Sequence, residues 1–386
     1  MTGLPVATVA DCAVAQPRDE TAAHPRPTPL CLLFCHRVPE GNPPAPCSPD
    51  PNRPINFRGA AVAPGPRSSL QVWAPSGTMA PRSQRAPLRG ALLLLLCGHL
   101  APLAGPLRIC AFNVQSFGEA KAGRPRVMGV LVKEANQSPI CAQVVARCDI
   151  CVVQEVRDAK GEAIPALVRQ LNRHDPAHHY AHLESGRLGH GSYKEQNVFI
   201  YRADVVTVVD WYQYPEPSPE QPAAFTRQPF IVRFHSPTTA IQDFVLVSHH
   251  TCPRNAPREI DQLYHVFQEV KRHWRVEDIM LLGDLNAACA YMPLRAWPGI
   301  KLHSHRGFHW LIGDDQDTTV SSKTHCAYDR IVVHGEALLR AIVPGSAKPY
   351  NFKKQLGLSE EEALEVSDHY PVEVLLRAAG HKHQEF

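Results

Sequence analysis

Ile279-Met280-Leu281-Leu282-Gly283-Asp284-Leu285-Asn286 is the stretch on which the fold turns. Four apolar residues that stop on a glycine read as a buried strand. Beyond the strand, Asp284 and Asn286 stand two apart, so extended geometry sends both side chains to the same side. A carboxylate beside a carboxamide at a strand mouth suits a metal ion and a phosphate oxygen. A bare Gly-Asp-x-Asn is common, so the rest of the chain must support it.

Other strand mouths do. Leu107 to Phe112 ends on Asn113, Asp149 to Val153 on Gln154-Glu155, and Phe244 to Val247 runs to His249-His250. Near the C-terminus Ser367-Asp368-His369 precedes the strand-like Tyr370 to Leu375. Strands sharing one sheet or sandwich can bring these acids, amides and imidazoles to a single edge.

The set and its order resemble the deoxyribonuclease I family of the metal-dependent endonuclease/exonuclease/phosphatase superfamily, from Leu107 to about Leu376. The resemblance rests on Ile109 to Asn113, Val153 to Asp158, Tyr193-Lys194-Glu195, Phe225 to Phe230, Cys326 to Arg330 and Ser367 to Val372. Trp310 to Asp314 and Ala296-Trp297 are most similar to the family's gamma branch; Gly307 to Trp310 is equally similar to its I-like 1 branch. The resemblance implies an α+β chain with a single catalytic domain, a four-layer α/β/β/α sandwich.

It also implies a site. Glu155 would be the main Mg²⁺ (or Mn²⁺) ligand, helped by Asp284 or Asp368. Carboxylates suit that ion because it is hard and prefers oxygen. His250 with Glu195 and His369 with Asp329 would be the acid and base pairs, each carboxylate raising its imidazole's pKa. His249 competes with His250. The family places its catalytic His before Thr-x-Pro, here Thr251-Cys252-Pro253, which selects His250, and strand alternation turns His249 away. Asn113 and Asn286 would donate to the scissile phosphate. Arg157, Tyr193 and Arg227 would contact double-stranded DNA through its minor groove. Asp317 and Thr319 match a Ca²⁺-binding turn. A second such site is not expected, because Ala223 stands where the family has an Asp. The implied enzyme is a monomeric endonuclease without an obligate protein partner. A phosphatase or sphingomyelinase of the superfamily shares this chemistry, and a non-catalytic secreted binding protein is the remaining alternative.

Composition sets the boundaries. Of 36 prolines, 15 fall in residues 1–78, a stretch without periodicity and too poor in apolar surface to offset chain entropy. It reads as a disordered extension or an upstream artefact. From 79 to 106, three arginines precede Ala91 to Cys97 and small residues follow, the layout of a signal peptide too short to span a bilayer comfortably. Residues 107–386 are then the catalytic domain of a protein secreted through the endoplasmic reticulum. A net charge of +3 is too small to announce a polyanion partner, so DNA affinity must come from local arrangement.

Seven cysteines fall in that domain, and an odd number leaves at least one unpaired. The resemblance bridges Cys289 to Cys326. Cys110, Cys148 and Cys151 lie in apolar surroundings and are expected to be inert thiols. Ile164, Leu167, Val168 and Leu171 follow helical spacing, as do Ile260, Leu263, Phe267 and Val270. Ser359 to Glu362 reads as a capping box. Lys133 to Gln143 looks inserted into a family helix, and Ser138-Pro139 should break it; Asn136-Gln137-Ser138 is a glycosylation triplet. Three departures stand near the site: Leu285 for Phe, Gln228 for Glu beside Arg227, and Ser248-His249 for Pro-Leu.

Overall fold

The computed structural model describes residues 105–132, 144–189, 191–216 and 223–380. The expectations for segment 1–78, the apolar leader, the 133–143 insertion with its Asn136 triplet, and Cys141 fall outside these ranges.

Twelve strands form two six-stranded sheets. The first contains β1 (Leu107–Phe117), β2 (Ile150–Val156), β3 (Tyr180–Glu184), β4 (Gln196–Arg202), β11 (Lys348–Pro349) and β12 (Val372–Leu376), ordered β11-β12-β1-β2-β4-β3. The second contains β5 (Thr207–Gln213), β6 (Phe230–His235), β7 (Asp243–Ser248), β8 (Ile279–Asp284), β9 (Phe308–Trp310) and β10 (Asp329–His334), ordered β5-β6-β7-β8-β10-β9.

Period-two alternation builds the layers. Along β1, Ile109 and Ala111 face the second sheet, while Cys110, Phe112 and Val114 face outward toward helices. Along β8, Met280 and Leu282 face the first sheet, and Ile279 and Leu281 meet the helix Ala256–Trp274. Three apolar clusters, one between the sheets and one outside each, make the four-layer sandwich that the resemblance implied. The central parallel pairs, β1 with β2 and β7 with β8, point their C-terminal ends to the edge where the polar residues gather.

The helical stripes are buried as their spacing requires, in Ala163–His174 and Ala256–Trp274. Ser359 and Glu362 form the reciprocal capping box. Of the family helix into which Lys133 to Gln143 looks inserted, the described part is Pro125–Val132. The Val130 and Leu131 carbonyls then accept from Val144 and Val145 N–H, supplying the bonds that a continuing helix would have made.

One cysteine expectation is corrected. Cys110 and Cys148 form a disulfide, as do Cys289 and Cys326. Cys110 lies on the outward face of β1, and Cys148 just precedes the paired strand β2, with Cα atoms 6.1 Å apart, within bonding range. Closing loops of this size stabilises by roughly 3–4 kcal/mol in the chain-entropy model. Cys151 is a free, buried thiol, and Cys252 is buried and outside both disulfides.

Candidate active site

The mouths of β1, β2, β7, β8 and β10 meet around the Asp284 carboxylate, which is almost wholly buried. Asn113 Nδ2 donates both to Asp284 Oδ2 (3.1 Å) and to Glu155 Oε1 (3.0 Å), tying together carboxylates from different sheets. Glu155 Oε2 accepts from Ser116 N–H at 3.0 Å. Glu155 has φ of +56°, a left-handed backbone that a non-glycine residue adopts only where the surroundings enforce it.

Two imidazoles flank Asp284. His250 Nδ1 lies 2.7 Å from Glu195 Oε1, and its Nε2 lies 3.5 Å from Asp284 Oδ2. His369 Nδ1 lies 2.7 Å from Asp329 Oδ2, and its Nε2 lies 3.6 Å from the same Asp284 oxygen. Both expected pairs are formed, and both rings aim their far nitrogens at one point.

Charge placement sets the proton affinities. Burial opposes the ionisation of Glu195, but His250 and Arg227 outweigh it and hold the carboxyl down to about 2. Burial and Arg227 work against protonating His250; Glu195 and Asp284 prevail, and its pKa is raised. His369 is raised well above the usual value, since Asp329, Asp284 and Asp368 overcome its burial. The two imidazoles also outweigh burial at Asp284, whose carboxyl is lowered.

The profile of the endonuclease/exonuclease/phosphatase family matches residues 110–369, which span the whole constellation. The chain belongs to that family. Human deoxyribonuclease gamma is 44% identical over 289 residues, covering 75% of this chain and 90% of that protein. Pig deoxyribonuclease-1 is 46% identical and covered to 99%, and pig deoxyribonuclease-1-like 1 is 44% identical and covered to 89%, each across 76% of this chain. The match therefore places the chain in the deoxyribonuclease branch of the family, and such even identities single out no paralogue.

Two expected roles, those of Asn113 and Arg227, and the expected conformation of Asn286 change with the geometry. Asn113 was expected to bind phosphate, yet both its amide hydrogens point to carboxylates and its Oδ1 accepts from Gln115 N–H. It is a bridge between acids. Asn286 does not continue an extended strand: φ is +47°, its N–H turns back to Asp284 Oδ1, and one amide hydrogen goes to the Thr251 carbonyl. Arg227 was expected on the DNA-facing surface. It is 1% exposed, 3.1 Å from Glu195, and donates to the His250 and Thr251 carbonyls. A cation so enclosed forms the floor of the site. Those carbonyls and Glu195 hold it without help from an acid at position 228.

Arg157 and Tyr193 do stand together at the mouth of β2, the guanidinium 4.2 Å from the ring centroid. His249 turns to the opposite face, as alternation required, where Nε2 lies 3.2 Å from Glu259 Oε2 and the ring packs edge-on against Phe225.

The oxygen donors suit a hard divalent cation. Glu155 is half-buried and held by two N–H donors, Asp284 sits across the shared Asn113 amide, and the Asp368 side chain is 26% exposed. Asp284, Asp329 and His369 also cluster within 4.8 Å. There Asp329 Oδ2 is already bonded to His369 Nδ1. At the turn expected to bind calcium, the Asp317 carboxylate is engaged by its own loop. Its Oδ1 accepts from Thr319 N–H, Thr319 Oγ1 and Cys326 N–H, and its Oδ2 lies 2.9 Å from His325 Nδ1. Calcium takes six to eight oxygen ligands, carbonyls and waters included, of which this carboxylate would be one.

Two residues escaped the sequence reading. Lys121 donates to the Val114, Gln115 and Val366 carbonyls; burial lowers its pKa to about 8 against the pull of Asp368 and Glu155. Ser367 donates to the Asn113 carbonyl and accepts from His369 N–H. Serine is too common for either contact to be read from a motif, and Lys121 is one lysine among many.

Proposed function

We propose that this chain is a secreted, divalent-metal-dependent endonuclease. It hydrolyses phosphodiester bonds of double-stranded DNA with low sequence specificity, leaves 5′-phosphate ends, and works as a monomer. The observation that carries this reading is the convergence of His250 Nε2 and His369 Nε2 on Asp284 Oδ2, at 3.5 and 3.6 Å. The deoxyribonucleases that match almost end to end supply the substrate class.

Phosphodiester hydrolysis needs an activated water, stabilisation of charge on phosphorus, and a proton for the leaving 3′-oxygen. A cation at Glu155, with Asp284 and Asp368 close by, supplies Lewis-acid polarisation of a phosphoryl oxygen. Glu195 and Asp329 fix the ring orientations, so each Nε2 is free to take or give a proton. Asn286 keeps one amide hydrogen for the phosphate. Arg157 over Tyr193 offers a cation and a flat ring to a narrow minor groove, where shape is read more than sequence. Binding should therefore weaken steeply with salt. Disulfides persist in oxidising compartments, so Cys110–Cys148 and Cys289–Cys326 support export.

The test is nicking of supercoiled plasmid by the full chain purified from culture medium, with Mg²⁺ or Mn²⁺ and then with chelator. We expect cleavage that stops on chelation, fragments that can be ligated without added kinase, and a mature N-terminus near Leu107. Turnover of sphingomyelin or a phosphomonoester without plasmid nicking would transfer the site to the other enzymes of its superfamily.

A further inference from the structure

The parallel ladder between β7 and β8 is interrupted where the catalytic residues leave it. His249 N–H donates to the Leu282 carbonyl and Thr251 N–H to the Asp284 carbonyl. In a regular parallel pair the bond between these two runs from Asp284 N–H to the His249 carbonyl. Here a side chain from the other sheet takes its place. Gln154 Oε1 accepts from Asp284 N–H at 2.8 Å, and Gln154 Nε2 donates to the His249 carbonyl at 2.8 Å. The carboxamide therefore acts as an inserted peptide unit. It satisfies both backbone groups and stands between strands that would otherwise bond directly.

The neighbours fit this arrangement. Gln154 is 0% exposed and lies near the end of β2, next to Glu155. Gly283 has φ of +133°, and a Cβ there would lie 2.5 Å from Gln154 Nε2 and 2.4 Å from the His249 carbonyl oxygen. Only glycine leaves room for the wedge. The residues on either side of the interruption are His250 and Asp284, whose separation the proposed chemistry depends on.

We propose that Gln154 is a positioning residue: its amide wedges β7 from β8 and locks them to the β2 mouth, fixing His250 and Asp284 relative to Glu155. The inference rests on the nuclease reading, and its test separates the two. In Gln154→Met an apolar chain of similar length loses both bonds, so Asp284 N–H can close on the His249 carbonyl. The experiment compares wild type and Gln154→Met by plasmid-cleavage kinetics normalised to folded protein, and by imidazole ¹H–¹⁵N spectra without added metal. We expect kcat to fall about 10- to 100-fold, in the range of misplaced catalytic groups, with KM for DNA within about twofold because Arg157 and Tyr193 lie outside the wedge. The His250 resonances should move clearly more than those of His369, whose ring Asp329 holds from β10. A kcat per folded molecule within twofold of wild type overturns the proposal. So do unmoved His250 resonances, or equal shifts of both imidazoles, which would mean general loosening. If wild type cleaves no DNA, the nuclease reading fails while the spectra still test the wedge.

Discussion

The His250–Glu195 and His369–Asp329 pairs have the same 2.7 Å contact and opposite electrical surroundings. Glu195 has Arg227 beside it and stays ionised down to about 2. Among the described residues no guanidinium is in ion-pair contact with Asp329, the nearby Arg330 being paired with Asp314; burial raises the Asp329 pKa, and Asp284 adds to the rise against the pull of His369. The imidazoles inherit the difference. Arg227 works against the proton on His250, whereas three carboxylates hold the proton on His369. Identical geometry thus produces a readier proton acceptor and a firmer proton holder. On this basis we propose His250 as the base and His369 as the acid.

Removing either ring should have the largest effect. His250→Ala and His369→Ala are each expected to lose about 10²- to 10⁴-fold in kcat, the range for a general acid or base. An intact rate in one variant, measured by plasmid nicking, would remove that residue from the mechanism and leave the comparison with one member.

Arg227 comes next, because it is what distinguishes the pairs. Arg227→Met leaves Glu195 buried without its guanidinium, and breaking such a pair costs about 3–5 kcal/mol. Melting temperature should fall accordingly. The pH dependence follows from the sign of the shift. Glu195 is depressed, so its contribution is present above the unfolded carboxyl range and is lost as pH falls toward about 2. In the variant that loss should begin at higher pH. A melting temperature within a degree of wild type would show that Arg227 is not an internal counter-charge.

The sequence made the frame legible for a physical reason. Ile279 to Leu282 and Ile109 to Phe112 are apolar on both faces because layers lie on both sides of each sheet. Such runs then have to end in polar residues at one edge. Pairings that depend on which surface meets which were not legible. Cys110 and Cys148 look like buried thiols by composition, and only the outward face of β1 makes them partners. Arg227 reads as a groove-binding cation until its loop folds under His250. Gln154 carries no charge, and the motif it belongs to gave it no role, so its place in the β7–β8 ladder appears only in three dimensions.

The pH profile of kcat/KM sharpens the contrast further. An opposite charge within a few ångströms moves a pKa by about one to three units. Glu195→Gln removes what raises His250, so the acid limb should move to lower pH. Asp329→Asn removes what raises His369, so the alkaline limb should move down, narrowing the profile. Shifts on the opposite limbs would exchange the acid and base assignments.

The smallest expected effect concerns the histidine that lost the competition for the site. His249 is buried behind His250; its Nε2 meets Glu259 while its Nδ1 is buried with no hydrogen-bond partner. Burial lowers its pKa even against Glu259, so the ring is held neutral. Glu259 does not depend on it, since Thr226 N–H, Thr226 Oγ1 and Cys252 N–H also donate to that carboxylate. His249→Leu therefore removes an unsatisfied nitrogen and keeps the apolar contact with Phe225. Stability should rise by about 1 kcal/mol, the low end of the cost of an orphaned buried polar group, with kcat unchanged. A clear loss of stability in a denaturant melt would show that the His249–Glu259 contact matters more than the orphan. It would then have to be counted, with Arg227, among the supports of the His250 side of the site.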